Sequence, residues 1–434
     1  MSQCNSLPFQ YGMIQDCIYP QIIEYSDMLR LTLAQTFAAM RYRNYRFWFI
    51  GQLVSLVGTA MQSTAQGYLI YTLTGSVAYL GYVGFISGLP SLLLILYGGV
   101  IADRVPRRTL LIITQSSMMV LAFILAALDF FKVVLPWHIL ALAFLLGIAN
   151  AFDAPARQSF VLEMVDREDM TNAIALNGTM YNLGAIVGPA AAGLTYALIG
   201  PAWCFTLNGI SFIAVIIALG MMRIKLPPTP IQSISIINAI RDGLRYVRAE
   251  RLVATLSVTT FVMNVFGFGL IVLIPAWAVS VLKGDAATNG LLLSSRAVGA
   301  VVGGLVIAAI ARRGIRGRLW STSSFLLPLV MVGFAMTRWQ PLSFIFLAGM
   351  GFFLISIMNT NNAMVQSRVP DELRGRVMGI YSLMFMGGGP IGSLLVGEVA
   401  SWTNEPMTAL LCSGALLLYA VFIWLRSPEV RKIV

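Results

Sequence analysis

Residues 98–108 read GGVIADRVPRR: one aspartate and three arginines in eleven positions, led by a glycine pair and set between two apolar runs. At 303–313 the chain reads GGLVIAAIARR, so that Gly98, Gly99, Arg107 and Arg108 recur as Gly303, Gly304, Arg312 and Arg313 at an offset of 205. A second set, Val165, Glu168, Gly184, Gly188 and Gly193, recurs as Val369, Glu372, Gly388, Gly392 and Gly397 at an offset of 204. Two matched sets at nearly one offset imply a duplicated unit, the construction of many secondary transporters.

The units belong in a bilayer. With 58% hydrophobic and 11% charged residues among 434 and a mean hydropathy of +0.80, the chain carries more apolar surface than a globule hides. Twelve apolar runs occur at about 47–73, 78–102, 108–129, 136–155, 171–197, 201–222, 252–282, 287–311, 318–337, 341–365, 376–400 and 405–426. Each is long enough to cross roughly 30 Å of hydrocarbon as a helix. Spanning segments must satisfy their own backbone, and continuous runs exclude the alternating pattern of a barrel. The expected fold is an all-α membrane protein of twelve transmembrane helices in two pseudo-symmetric six-helix bundles.

The basic residues orient it. With a cytoplasmic N-terminus, all but Lys132, Lys283, Arg338 and the intra-helical Arg296 of the 29 Lys and Arg lie on the inner side, as the positive-inside rule requires. The net charge of +11 then reports topology and an anionic leaflet, and no nucleic-acid partner is implied. The expected domains are a cytoplasmic segment 1–46, bundles 47–222 and 252–426, a cytoplasmic linker 223–251 and a tail 427–434. In the linker, Ile236, Ile237, Ile240, Leu244 and Val247 share one helical face and Arg241, Arg245 and Arg248 another, which predicts an amphipathic helix at the membrane surface. A similar helix is expected over Glu24–Arg43. No cleavable signal peptide is evident. Cys4, Cys17, Cys204 and Cys412 share no short spacing, so they read as reduced and form neither a disulfide framework nor a metal site.

The stretch from Gly99 to Arg108 resembles the loop between helices 2 and 3 of the major facilitator superfamily, G-x-x-x-D-R-x-G-R-R, with Pro106 where the pattern has glycine. The resemblance implies a conformational switch of Gly99, Asp103, Arg104, Arg107 and Arg108, in which Asp103 latches the halves in the outward-open state. Positive charge that only fixes topology is the competing reading. Ala308 stands where the second copy would carry the aspartate, making the latch one-sided. In the fifth span, Gly184, Gly188, Pro189 and Gly193 resemble the G-x-x-x-G-P-x-x-G-G pattern of proton-coupled exporters, with three residues between Pro189 and Gly193; ordinary small-residue packing is the alternative. Asn150-Ala-Phe-Asp153-Ala-Pro155-Ala-Arg157-Gln158, Asn172-Ala173, Tyr45-Arg-Phe-Trp and Thr74-Gly75-Ser76 are similar to the branch that contains enterobactin exporters and macrolide efflux proteins.

Ionisable groups within the bilayer are costly and mark function. Asp153 is the candidate proton carrier, or else an ion-pair partner of Arg157 or Arg107 at the inner gate. Arg296, about nine residues into the eighth span, completes the proton-coupling set Asp153, Arg157 and Arg296; it neutralises an acidic substrate, pairs with a carboxylate, or is held by backbone carbonyls. Gln52, Ser55, Thr59, Gln62 and Gln66 recur at three and four residues on the first span, with Ser356, Asn359 and Gln366 on the tenth. The first-span stripe and Asn359 are the expected substrate-cavity face, against the alternative of hydrogen bonds between helices. One histidine, no clustered ligands and no Walker loop argue against an enzyme, a metal or any cofactor. The expected function is proton-coupled export of small amphipathic molecules by a monomer in the bacterial inner membrane, with both termini cytoplasmic. A lysophospholipid transporter or solute uniporter of the same fold is the alternative, and a non-transporting sensor or scaffold the reading from another class.

Overall fold

The computed structural model describes residues 36–222, 236–310 and 316–426, and every regular element among them is helical. The helix expected over Glu24–Arg43 falls largely outside these residues, as do Cys4, Cys17, Arg312, Arg313 and the tail, and so does the side chain of Asp103. The first half comprises α1 (Arg43–Thr74), α2 (Val77–Arg104), α3 (Arg107–Phe130), α4 (Pro136–Val161), α5 (Met170–Ile199) and α6 (Pro201–Met221). After the connector α7 (Ile236–Ala249) come α8 (Arg251–Val281), α9 (Ala286–Ile310), α10 (Arg316–Met336), α11 (Gln340–Arg368), α12 (Asp371–Trp402) and α13 (Glu405–Arg426).

Among the described residues eleven helices are long and apolar enough to cross a membrane. The twelfth, α1, has 32 residues and reaches about 48 Å, but its stripe of glutamines and hydroxyls lowers its apolarity. Turn chemistry sets the ends. Gly75 takes φ +63° and its N–H closes α1 onto the Tyr71 carbonyl at 2.8 Å, a left-handed cap suited to glycine. Proline opens α4 and α6, where its missing N–H leaves nothing unsatisfied. α12 starts at Asp371, a turn before the expected 376, because Pro370 precedes it and Asp371 and Glu372 occupy its first turn, favourable for the helix dipole. The seventh span, expected as one helix, is irregular in its middle: a π turn at Asn264–Phe268, a 3-10 turn at Gly269–Leu273 and a second π turn at Trp277–Val281. Gly267, Gly269 and Pro275 sit in or beside these breaks, and such backbone is tolerated at membrane depth only where protein or a cavity surrounds it.

The repeat in sequence is a repeat in packing. The contacts of α2 with α4, α3 with α6 and α1 with α5 recur as α9 with α11, α10 with α13 and α8 with α12. Matched glycines make the first and third of these pairs. A Cβ on Gly98 would lie 2.1 Å from the Ala151 carbonyl oxygen, and one on Gly303 2.7 Å from that of Phe352. Gly99, by contrast, faces open space. Gly184 and Gly188 seat α5 on Leu56 and Ala60 of α1, as Gly388 and Gly392 seat α12 on Asn264 and Val265 of α8.

The halves meet along two seams, α2 with α12 and α5 with α9. Gly88 abuts Pro390, Gly81 abuts Gly397, Gly193 abuts Ala286 and Ala287, and Gly290 meets the Pro189 carbonyl at 2.2 Å from a built Cβ. All these positions lie in the halves of their helices remote from the arginine-rich loops. The protein is therefore closed on that far side, and the opposite end is the basic side. There, α7 docks on the second half: Gly243 packs on the Arg376 carbonyl, Asp242 pairs with Arg376 at 2.8 Å and Val247 is buried, while Arg241, Arg245 and Arg248 are exposed.

The far-side seam has no room for a methyl group. Gly290→Ala forces α9 off α5, and overpacking of this kind costs about 1–3 kcal/mol. Labelling of a cavity cysteine, Ser63→Cys, by a membrane-impermeant thiol reagent from the far side is expected to accelerate about tenfold, whereas Gly389→Ala, whose Cβ meets nothing, leaves it unchanged. A second prediction concerns Asp285 in the loop before α9. Its Oδ1 accepts the Thr288 N–H at 2.9 Å, and that bond holds its carboxyl below the usual range. A depressed pKa contributes stability above the unfolded value and loses it as pH falls. Asp285→Ala is expected to cost about 1 kcal/mol at neutral pH, read as thermal unfolding in detergent, and the deficit should close below about pH 4.

Candidate functional site

Between the halves lies a cavity of about 670 Å³. The polar stripe on α1 divides along its length: Thr59, Gln62 and Gln66 line the cavity, whereas Gln52 and Ser55, two turns nearer the basic side, are buried outside that lining. Asn359 does not line it; this residue is exposed on α11 near Gly304. Opposite the glutamines stand Ser87 and Ser91 of α2, Asn150 of α4, Asn208 of α6, Phe268 and Pro275 of the irregular α8, Arg296 of α9 and Ser393 of α12. The Asn208 amide donates to Gln62 Oε1 at 2.7 Å, and it fits because Gly58 leaves space: a Cβ there would lie 2.6 Å from both Asn208 Oδ1 and Ser211 Oγ.

The three proton-coupling candidates do not converge. Asp153 is 1% exposed and sealed inside the first half. Thr114 and Gln115 of α3 both donate to its Oδ1 at 2.9 Å, and Arg157, one turn along α4, pairs with its Oδ2. Arg157 also donates to the Tyr181 hydroxyl of α5 at 3.3 Å. Arg107 pairs instead with Glu163, Arg108 donates to the Gly220 carbonyl at 2.8 Å, and Arg104 is exposed. The Arg107–Glu163 and Arg108–Gly220 bonds lie within the first half. Arg296 faces the central cavity.

Nearby, Tyr45 donates to the Ala173 carbonyl at 2.9 Å and Trp48 stacks edge-on against Phe160 at 5.3 Å. The separate stretches around Tyr45, Asp153 and Asn172-Ala173 thus form one packed corner. The seam carries polar bonds as well: Tyr82 donates to Glu398 at 2.5 Å and Ser294 donates to the Ile186 carbonyl at 2.6 Å; within the second half, Ser280 donates to the buried Glu405 at 2.7 Å. Cys204 and Cys412 are buried and unpaired.

Residues 34–432 match the family described as transmembrane secretion effectors. The chain belongs to that family of major facilitator transporters. Among curated relatives, the staphyloferrin A transporter of Staphylococcus aureus is 26% identical over 82% of this chain and 89% of its own. The multidrug efflux pump Tap of Mycolicibacterium fortuitum is 27% identical over 88% and 95%, and the enterobactin exporter of Shigella flexneri 25% over 94% and 96%. Among solved structures, the nucleoside transporter NupG superposes with a TM-score of 0.71 at 13% identity, covering 88% of this chain and 98% of that one. An inward-facing, occupied bacterial homologue of the lysosomal transporter Spinster gives 0.71 at 14%, covering 90% and 98%. These two likenesses concern the fold.

The protein is thus a multi-pass membrane transporter of small molecules and not an enzyme. Sequence reasoning missed Asn208 and Phe268 in this transporter's cavity. The first had a signal, a lone amide in the otherwise apolar sixth span; the second had none, since its direction depends on the π turn of α8. If Gly58 exists to seat Asn208 beside Gln62, Gly58→Ala and Asn208→Ala disturb one interaction. Each is expected to lower stability by about 1–2 kcal/mol, and the double variant by no more than the larger single loss. Additive losses in a thermal-unfolding cycle would separate the two residues.

Proposed function

We propose that this transporter exports a small amphipathic molecule across the bacterial inner membrane in exchange for inward-moving protons. The observation that carries the reading is a central cavity between the halves, closed on the far side by glycine seams, which fits one state of an alternating-access cycle. The positive-inside rule makes the basic side cytoplasmic, so a cavity shut from the far side is in the state that loads an exporter, with both termini inside. The names of the relatives support the direction, since they describe a multidrug efflux pump and an enterobactin exporter.

The proton site in this reading is the Asp153–Arg157 pair. A proton taken up by Asp153 from the far side releases Arg157, whose second nitrogen reaches Tyr181 of α5, a helix on the seam with α9, and loss of that proton to the basic side restores the pair. The Asp103 loop biases the same equilibrium, and one chain is a working unit.

Inverted vesicles with an acid interior and a pH-sensitive dye test this directly, with siderophores, macrolides and lysophospholipids added one at a time. Substrate-dependent dye recovery is expected, and Asp153→Asn is expected to abolish it while leaving gradient-independent substrate exchange within a factor of about three. Loss of both processes in a folded variant would make Asp153 structural. No recovery with any compound, where a known antiporter responds, would remove the proton-driven reading.

A further inference from the structure

Arg296 is the one charged side chain among the described residues lining the cavity, and no carboxylate lines it. The guanidinium makes no hydrogen bond or ion pair among the described residues; its Nε is buried without a partner, and the group lies 5.9 Å from the ring centroid of Phe268. It cannot withdraw easily, because its backbone is wedged: a Cβ on Gly351 of α11 would lie 2.0 Å from the Arg296 carbonyl oxygen. Asp153, the carboxylate of the same expected proton-coupling set, is occupied elsewhere by Thr114, Gln115 and Arg157.

A cation held at membrane depth is costly unless something pairs with it. Nothing described in the protein does so. The surroundings are donors too: Gln62 accepts from Asn208 through its oxygen, which leaves its amide N–H groups for the cavity, and Gln66 lines the same wall. Phe212, Phe268 and Ile271 supply apolar surface.

We infer that the cavity recognises an organic anion, a planar oxyanion such as a carboxylate carried on an aromatic or otherwise apolar body, with Arg296 as the residue that selects its charge. The guanidinium fork fits a carboxylate with two parallel hydrogen bonds, and its charge is least screened where water is excluded. A permanently cationic ligand meets one positive charge and no negative one, so it is rejected. The inference rests on the small-molecule transporter reading and deepens it. Soluble organic anions and anionic lipid headgroups share this chemistry.

The test uses the full-length protein in nanodiscs and three probes with one apolar body: 2-naphthoate, 2-naphthamide and 2-naphthylmethylammonium. Equilibrium dialysis should give 2-naphthoate saturable binding about tenfold or more tighter than the other two. Arg296→Met should erase the preference, and Arg296→Lys should restore part of it, which guards against simple misfolding of the methionine variant. Absence of saturable naphthoate binding to the wild type, or a preference that survives in folded Arg296→Met, overturns the inference. Displacement of naphthoate by lysophosphatidylglycerol at lower concentration than by free long-chain carboxylates identifies a lipid as the source of the anion; the opposite order identifies a soluble cargo. The vesicle assay separates this inference from export. Proton-coupled movement of cationic dyes that is unaffected by Arg296→Met keeps the exporter and ends the anion site. Arg296-dependent naphthoate binding without any proton-coupled transport does the reverse.

Discussion

In a bilayer, helices gain nothing by hiding apolar surface from one another, so their association depends on how closely backbones approach. In this transporter that approach is made by glycines facing carbonyl oxygens. Gly98 on Ala151 and Gly303 on Phe352 tie α2 to α4 and α9 to α11; Gly188 and Gly392 tie α5 to α1 and α12 to α8. Five residues further along the same two helices, small residues turn from holding a bundle together to sealing the halves against each other, through Gly193 on Ala287 and Gly397 on Gly81. Each of these helices therefore builds its bundle with one face and the seam between the halves with another.

Polar groups are disposed by the same division. Asp153 is buried where α3 and α4 supply three donors, so its charge is met inside one rigid half. The Tyr82–Glu398 bond crosses the seam and joins the two halves on the far side. Asn208 and Gln62 satisfy each other at the cavity wall. Arg296 alone is left facing the cavity with an aromatic ring as its neighbour, and an unmet charge at that depth is the feature a cargo can complete.

Much of the architecture was legible beforehand. The duplication, the helical class and the spans followed from glycine offsets and from apolar runs, because hydrophobic length is a local property of the chain. α1 was readable even though its polar stripe lowers its apolarity, since its neighbours and the repeat required it. The cavity was half legible: period reasoning put five residues on one face of α1, yet a face says nothing about depth, and Gln52 and Ser55 fall beneath the cavity while Thr59, Gln62 and Gln66 line it. Asn359 shares its spacing with Ser356, but α11 turns it away from the cavity. Asp153, Arg157 and Arg296 looked like one set of membrane charges and prove to be two sites, because spacing along a helix cannot say which half will face the cavity.

Taken by itself, the sequence determined that this chain is a duplicated helical membrane protein with a basic side and a far side, since backbone satisfaction in lipid and the placement of arginines leave little freedom. Only the tertiary structure decided which glycines bind helices into bundles and which seal the halves together. It also decided which polar residues meet partners and which face the cavity. Those outcomes depend on the rotation of each helix about its own axis and on the irregular turns of α8, and both are set by contacts between segments far apart in the chain, as Gly98 is from Ala151 and Gly81 from Gly397.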